Sequence, residues 1–375
     1  MKHKINSIQY LRAVAVLLVI FSHIFFMRDV MGIERDTSTL SLQEFGAIGV
    51  DIFFVISGFI ITYTASQWKG KRAAADFAKR RFIRIAPAYY IASGLYLLRL
   101  VLTAISQSIP GSNRIIDALT LLKTVTILPI FDKGHFQAPI LNIGWTLSFE
   151  FLFYLIFTLL ILSRVNRRDL YLLGIIIALG VTGIIFPVQQ VQLKFITNPV
   201  ILEFAFGVFI CILYQRLKNI SFGLSIGILI AALFMFVCLI KFGFEDIGGI
   251  KSTTDGNLAP LRVLQWGIPS ALLVGSLLFI EKCNPHLMKE NKFLLFIGEA
   301  SYSLYLVHQY AFMGLVRVAN RFHLQQMNIV LFIVISMITA LICGALFHVF
   351  VEKPLIKKLN KVFIKRRETQ ILPSL

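Results

Sequence analysis

MKHKINSIQYLRAVAVLLVIFSH, residues 1–23, opens on two lysines and then runs into an apolar segment broken by only two ionisable side chains, Arg12 and His23. A basic start followed by an apolar run is how a secretory leader begins. No small-x-small cleavage site follows, and further apolar runs do, so the stretch reads as a retained first membrane helix. Arg12 and His23 are eleven residues apart, which at 3.6 residues per turn returns them to nearly one face, separated by about 16 Å of rise. Ionisable groups inside a bilayer are costly and usually mark a site. This one segment therefore points both to the fold class and to the first place to look for chemistry.

The rest of the chain has the same character. Of its 375 residues 57% are hydrophobic and 15% charged, whereas a soluble domain carries roughly 25% charge. The apolar residues gather in runs long enough to cross a hydrocarbon core of about 30 Å. They predict an all-α polytopic membrane bundle of about ten transmembrane helices, near 7–27, 46–66, 85–106, 142–163, 170–187, 199–214, 221–241, 262–280, 297–317 and 328–351, the sixth of them short. With the N-terminus inside, the inner segments hold 24 of the 37 Lys and Arg and the outer loops 10. That bias places both termini in the cytoplasm. Residues 1–375 read as a single membrane domain whose basic tail, 352–375, lies along the inner surface.

Segment 115–131 is apolar but contains Asp117 and Lys123. Were it to cross, the basic run 164–169 would move outside, so it reads as interfacial or re-entrant within the long outer loop 107–141. Cys211, Cys238 and Cys343 fall in spans and Cys283 in an inner loop, so no disulfide is expected. No CxxC or HExxH spacing suggests a metal. The net charge of +18 reports topology rather than nucleic acid, because no basic stripe interleaved with aromatics lies outside the membrane.

Several buried polar residues carry two readings each. Arg12 can snorkel to the inner headgroups, and His23 can be a packing histidine. Their shared face favours a joint role, with the imidazole as general base. Asp51 either caps the outer end of the second helix, where its dipole favours a carboxylate, or pairs with a base. Ser57 and Gly58 suit close helix packing. Arg80, Arg81 and Arg84, followed by Pro87, Tyr89 and Tyr90, are either ordinary inner-side charge or a helical face that grips phosphates. Trp145 fits an outer aromatic belt, and Glu150 lies deeper, where a carboxylate must be neutral, paired or hydrated. Glu203, His308 and His348 are further candidates.

The stretches QYLRAVAVLLVIFSH, GAIGVDIFFVISGFIIT, RRFIRIAPAYY, GWTLSFEFLFYL, IGEASYSLYLVHQY and VEKP run in order from residue 9 to 354. In them the chain resembles the bacterial acyltransferase-3 family of membrane enzymes that modify surface glycans, most of all the stand-alone exopolysaccharide acetyltransferases. The resemblance implies ten helices in the bacterial inner membrane, acetyl-CoA or another acyl-CoA as co-substrate entering from the cytoplasm, no permanently bound cofactor, and a glycan or lipid-linked glycan as acceptor. It implies His23 as the catalytic histidine and Arg12 as its donor-binding partner. Arg81 and Arg84 match the basic residues before the proline, and Trp145 and Glu150 match the fourth-helix motif. On this reading His23, oriented by Glu150 or Asp51, activates a hydroxyl, while Arg12, Arg80, Arg81, Arg84, Tyr89, Trp145 and His308 bind substrates. A homo-oligomer or a polysaccharide-assembly complex remains open. Two other classes compete: a transporter or flippase of a lipid-linked glycan, although no paired repeats with broken helices are legible, and a non-catalytic subunit of an export complex.

Overall fold

The computed structural model describes residues 5–30, 45–106, 118–129, 136, 138–186, 188–242, 247–322 and 328–364. Every regular element among them is helical. In chain order these are α1 (Asn6–Val30), α2 (Gly49–Thr64), α3 (Lys71–Ser106), α4 (Ala118–Thr126), α5 (Gly144–Leu162), α6 (Arg168–Ile185), α7 (Val191–Ile196), α8 (Leu202–Arg216), α9 (Phe222–Phe242), α10 (Ile250–Thr254), α11 (Ala259–Arg262), α12 (Ile268–Cys283), α13 (Lys292–Arg321), α14 (Ile329–Phe347) and α15 (Lys353–Phe363). A π-turn, Val263–Gly267, joins α11 to α12, and a second, His348–Glu352, joins α14 to α15. The protein is a multi-pass membrane bundle: among the described residues 8 helices are long and apolar enough to cross, and α2 is a shorter apolar helix of 16 residues. Each of the ten expected spans falls on a helix. We call the end bearing the Lys/Arg-rich connections the basic end and the opposite one the far end.

Three local departures from the sequence expectation have physical causes. The expected inner loop 67–84 is helical from Lys71 and continues through Pro87 as one helix of 36 residues. Its Ala, Arg and Lys are strong helix formers, so nothing stops the helix at the membrane surface. The sixth span is broken rather than short. α7 precedes it, and the chain re-forms as a helix at Pro199 after Asn198, whose Oδ1 accepts the Val200 amide at 3.0 Å. The Asn198 amide then donates to the Thr253 carbonyl at 2.9 Å, so the break is closed by α10. The described part of segment 115–131 forms α4, whose 9 residues rise only about 14 Å and do not cross the bilayer as a helix.

Packing centres on α1 and α2. α1 lies mainly against α13 and α2, and α2 crosses α8. Small residues permit these approaches. A Cβ on Gly58 would stand 2.1 Å from the Phe204 carbonyl oxygen, and one on Gly207 would stand 2.0 Å from that of Val55. α2 and α8 thus touch backbone to backbone at a pair of glycines. On the other side, a Cβ on Gly298 would stand 2.2 Å from the Gln9 carbonyl oxygen, which sets α13 against α1 one turn below Arg12. α6, α9 and α14 form the rim and expose apolar side chains such as Ile177, Phe234 and Ile338, as lipid-facing helices do.

Candidate active site

The α1–α13 contact brings two imidazoles together. The rings of His23 and His308 lie 4.9 Å apart, edge to face, at 63°. His23 Nδ1 is 2.8 Å from the Val19 carbonyl oxygen, one turn back on its own helix. A carbonyl only accepts, so Nδ1 carries the hydrogen and Nε2 presents a lone pair. His308 is held the same way, its Nδ1 donating to the Leu304 carbonyl at 3.1 Å. The buried His308 Nε2 has no hydrogen-bond partner among the described residues. His23 is partly exposed and His308 fully enclosed. Neither Asp51 nor Glu150 bonds to His23. The expectation that a carboxylate orients the imidazole is replaced by orientation from the helix backbone, because both carboxylates are engaged elsewhere.

Glu150 accepts hydrogen bonds from Ser57 Oγ at 3.0 Å and from the Tyr154 hydroxyl. Asp51 faces Arg262. The guanidinium donates through Nε to Oδ1 at 2.9 Å and through Nη2 to Oδ2 at 2.8 Å, a bidentate pair with both side chains buried. Arg262 also donates through Nη1 to the Ile247 carbonyl at 3.1 Å and to Thr253 Oγ1 at 3.0 Å. Its charge lies over the rings of Trp266 and Trp145, 4.7 and 5.7 Å from their centroids. Trp145 is 5% exposed, so it covers this ion pair instead of joining an aromatic belt at the lipid surface. The Glu203 carboxyl lies beside Asp51 and is likewise enclosed.

At the basic end the arginines converge. Arg84 Nη1 donates to Glu352 Oε1 at 2.7 Å. Arg81 stacks over Phe77 and Tyr154, and Arg80 over Trp68. Arg12 is within electrostatic reach of Arg84, Glu352, Glu150 and Tyr154, yet donates no hydrogen bond to any described residue. Tyr89 is buried, with its hydroxyl against Gly144 at the start of α5. Of the residues singled out from sequence, Arg12, Arg81, Arg84 and Glu150 share one polar neighbourhood, and His23 and His308 a second. Asp51, Glu203 and Trp145 form a third with Arg262. An apolar groove of about 640 Å³ between α13 and α14, lined by residues such as Val307, Ala311 and Phe332, contains none of the charged groups.

Sequence reasoning gave no role to Ser303, Tyr154, Arg262 or Glu352. The last two did leave a signal, being charges placed at or inside apolar runs, but nothing in the sequence named their partners. The four cysteines are all free thiols.

Comparison with known proteins adds the chemistry. A family model described as an acyltransferase domain matches residues 5–348. The exopolysaccharide production protein ExoZ of Rhizobium meliloti is 29% identical over 269 residues, covering 71% of this chain and 76% of that protein. The peptidoglycan O-acetyltransferase OatA of Listeria monocytogenes is 32% identical over 197 residues, 48% of this chain and 28% of that protein. The O-acetyltransferase OatA of Staphylococcus aureus is 26% identical over 349 residues, 85% of this chain and 54% of that protein. The chain thus spans about half or less of the OatA proteins and three quarters of ExoZ. No solved structure matches it.

Proposed function

The chain belongs to the acyltransferase-3 family, and from that membership we propose that it is an O-acyltransferase moving an acetyl or similar acyl group from acyl-CoA to a hydroxyl of an exported or envelope polysaccharide, or of its lipid-linked precursor. The names of its relatives support the class of reaction: two are O-acetyltransferases and one an exopolysaccharide production protein. The basic end faces the cytoplasm of a bacterial inner membrane, in keeping with its Lys and Arg excess. The donor approaches there, where Arg12 has charge to offer and no hydrogen-bonded partner among the described residues. The pantetheine arm runs along α1 toward His23, about 16 Å away by helical rise.

The observation that carries the reading is the His23 tautomer set by Val19. Nε2 takes the proton of the acceptor hydroxyl as its oxygen attacks the thioester carbonyl carbon. The carbon–sulfur bond then breaks, and the CoA thiolate takes the proton from the imidazolium. His308 flanks the base and excludes water from one side. Two serines do stand beside carboxylates, Ser303 by Glu352 and Ser57 by Glu150. Among the described residues neither hydroxyl is bonded to an imidazole, so neither has the contact by which a histidine activates a serine, which favours direct transfer.

Purified protein in nanodiscs, given radiolabelled acetyl-CoA and a polysaccharide fragment, should move label to the acceptor, and a His23→Ala variant should not. Full transfer by that variant removes the role of the histidine. Movement of a lipid-linked glycan across the bilayer without thioester consumption would favour the flippase reading, whose sequence mark is a broken helix. The one broken span seen among the described residues, Val191–Arg216, has its break closed by Asn198.

A further inference from the structure

The proposed reaction uses Arg12 and His23 but leaves the VEKP motif at 351–354 without work. Its Glu352 is a carboxylate at the end of a long apolar run, on the π-turn His348–Glu352. π-turns of this kind often occur at functional sites. Glu352 is 0% exposed, and a carboxylate there needs several donors. It has three, one from α3, one from α13 and one from its own π-turn. Arg84 Nη1 of α3 donates to Oε1 at 2.7 Å, His348 Nδ1 donates to Oε2 at 2.7 Å, and Ser303 Oγ of α13 donates to Oε2.

These bonds hold one edge of the Arg84 guanidinium. A guanidinium carries five N–H donors in a rigid fork, and Arg84 gives no other hydrogen bond to a described residue while its side chain stays 31% exposed. Arg12 lies within electrostatic reach of it as a like charge, and donates no hydrogen bond to a described residue. Two guanidiniums repel unless carboxylates hold them or an anion lies between them. Glu352 holds Arg84 and Glu150 lies within electrostatic reach of Arg12, and both arginines keep donors for the second. Forked N–H pairs of this type match phosphate oxygens.

We propose that Glu352 is a positioning residue, which fixes Arg84 so that Arg84 and Arg12 together cradle a phosphate group of the acyl-CoA donor. This inference rests on the acyl-CoA reading above. It differs from the expectation that Arg80, Arg81 and Arg84 grip the donor as one helical face, because Arg80 and Arg81 are stacked on aromatic rings, whereas Arg84 is bonded to Glu352 and within electrostatic reach of Arg12.

A truncated donor separates positioning from general damage. S-acetylpantetheine keeps the thioester and lacks the nucleotide and its phosphates. With acetyl-CoA, Glu352→Gln should raise KM about tenfold or more with kcat within about threefold. With S-acetylpantetheine the same variant should match the wild type within about twofold. Glu352→Asp should recover part of the loss in KM. Arg84→Gln should behave like Glu352→Gln, and the Arg84→Gln/Glu352→Gln pair should be no worse than either single change. That pair leaves no buried unpaired charge, so it carries the same prediction if Glu352→Gln fails to fold. Equal losses with the two donors, an unchanged KM for acetyl-CoA, or additive losses in the pair would overturn the cradle while leaving the acyltransferase reading intact. Wild-type protein that turns over neither donor would overturn both.

Discussion

Replacing Asp51 by Asn tests whether this carboxylate braces the bundle or serves catalysis. Asp51 and Arg262 meet through two hydrogen bonds of 2.9 and 2.8 Å, with both side chains buried. Removing one partner of a buried pair typically costs about 3–5 kcal/mol, because the other charge stays in low dielectric unpaired. Arg262 keeps its bonds to Ile247 and Thr253 and its place over Trp266 and Trp145. The indole faces are worth about 0.5–2 kcal/mol each, which puts the expected loss at the lower end, about 3 kcal/mol, or about two orders of magnitude in the folded-to-unfolded ratio. Membrane proteins rarely unfold reversibly, so the measure is a half-life. In detergent at fixed temperature, the monodisperse chromatographic peak of Asp51→Asn should decay ten- to a hundredfold faster, by an order-of-magnitude estimate, than that of the wild type. Asp51→Asn/Arg262→Gln should recover most of the loss, since no charge is then stranded. The opposite pattern, an Asp51→Asn protein as long-lived as the wild type but with kcat down by more than about tenfold, would refute the reasoning and return Asp51 to the catalytic group.

Three other outcomes are expected. Gly207→Val sets side-chain atoms onto the Val55 carbonyl oxygen, 2.0 Å from where a Cβ would stand, and should cost about 1–3 kcal/mol or more as overpacking; unchanged thermal lifetime would show that α2 and α8 can separate. Arg12→Gln should raise KM for acetyl-CoA by about ten- to a hundredfold, the worth of one or two charge-assisted contacts, and leave KM for the acceptor unchanged; a shift in the acceptor KM alone would move Arg12 to the other substrate. His308→Phe keeps an aromatic ring against His23 but removes both nitrogens, and should lower kcat about tenfold or more without changing KM for acetyl-CoA; wild-type kcat would make His308 a packing residue only.

The readable parts of this protein are those governed by local composition. Apolar runs marked the positions of ten helices. α7 was missed because 6 residues are too few to show a period. The two π-turns were invisible because an inserted residue changes neither hydropathy nor charge. The charged partners were also invisible, for a different reason. Asp51 and Arg262 are 211 positions apart, and Arg84 and Glu352 are 268 apart, and hydropathy says nothing about which helix faces which.

The sequence alone determined that this is a membrane bundle and that Arg12 and His23 share a face of its first helix. Both follow from short-range rules, the width of the bilayer and the 3.6-residue turn. The tertiary structure alone decided what each ionisable group meets. In a low dielectric an unpaired charge is so unfavourable that carboxylates and guanidiniums settle wherever helix crossings such as Gly58–Gly207 and Gln9–Gly298 bring them together. Asp51 went to Arg262 and Glu150 to Ser57 and Tyr154. His23 was left with its own backbone for orientation and His308 for company.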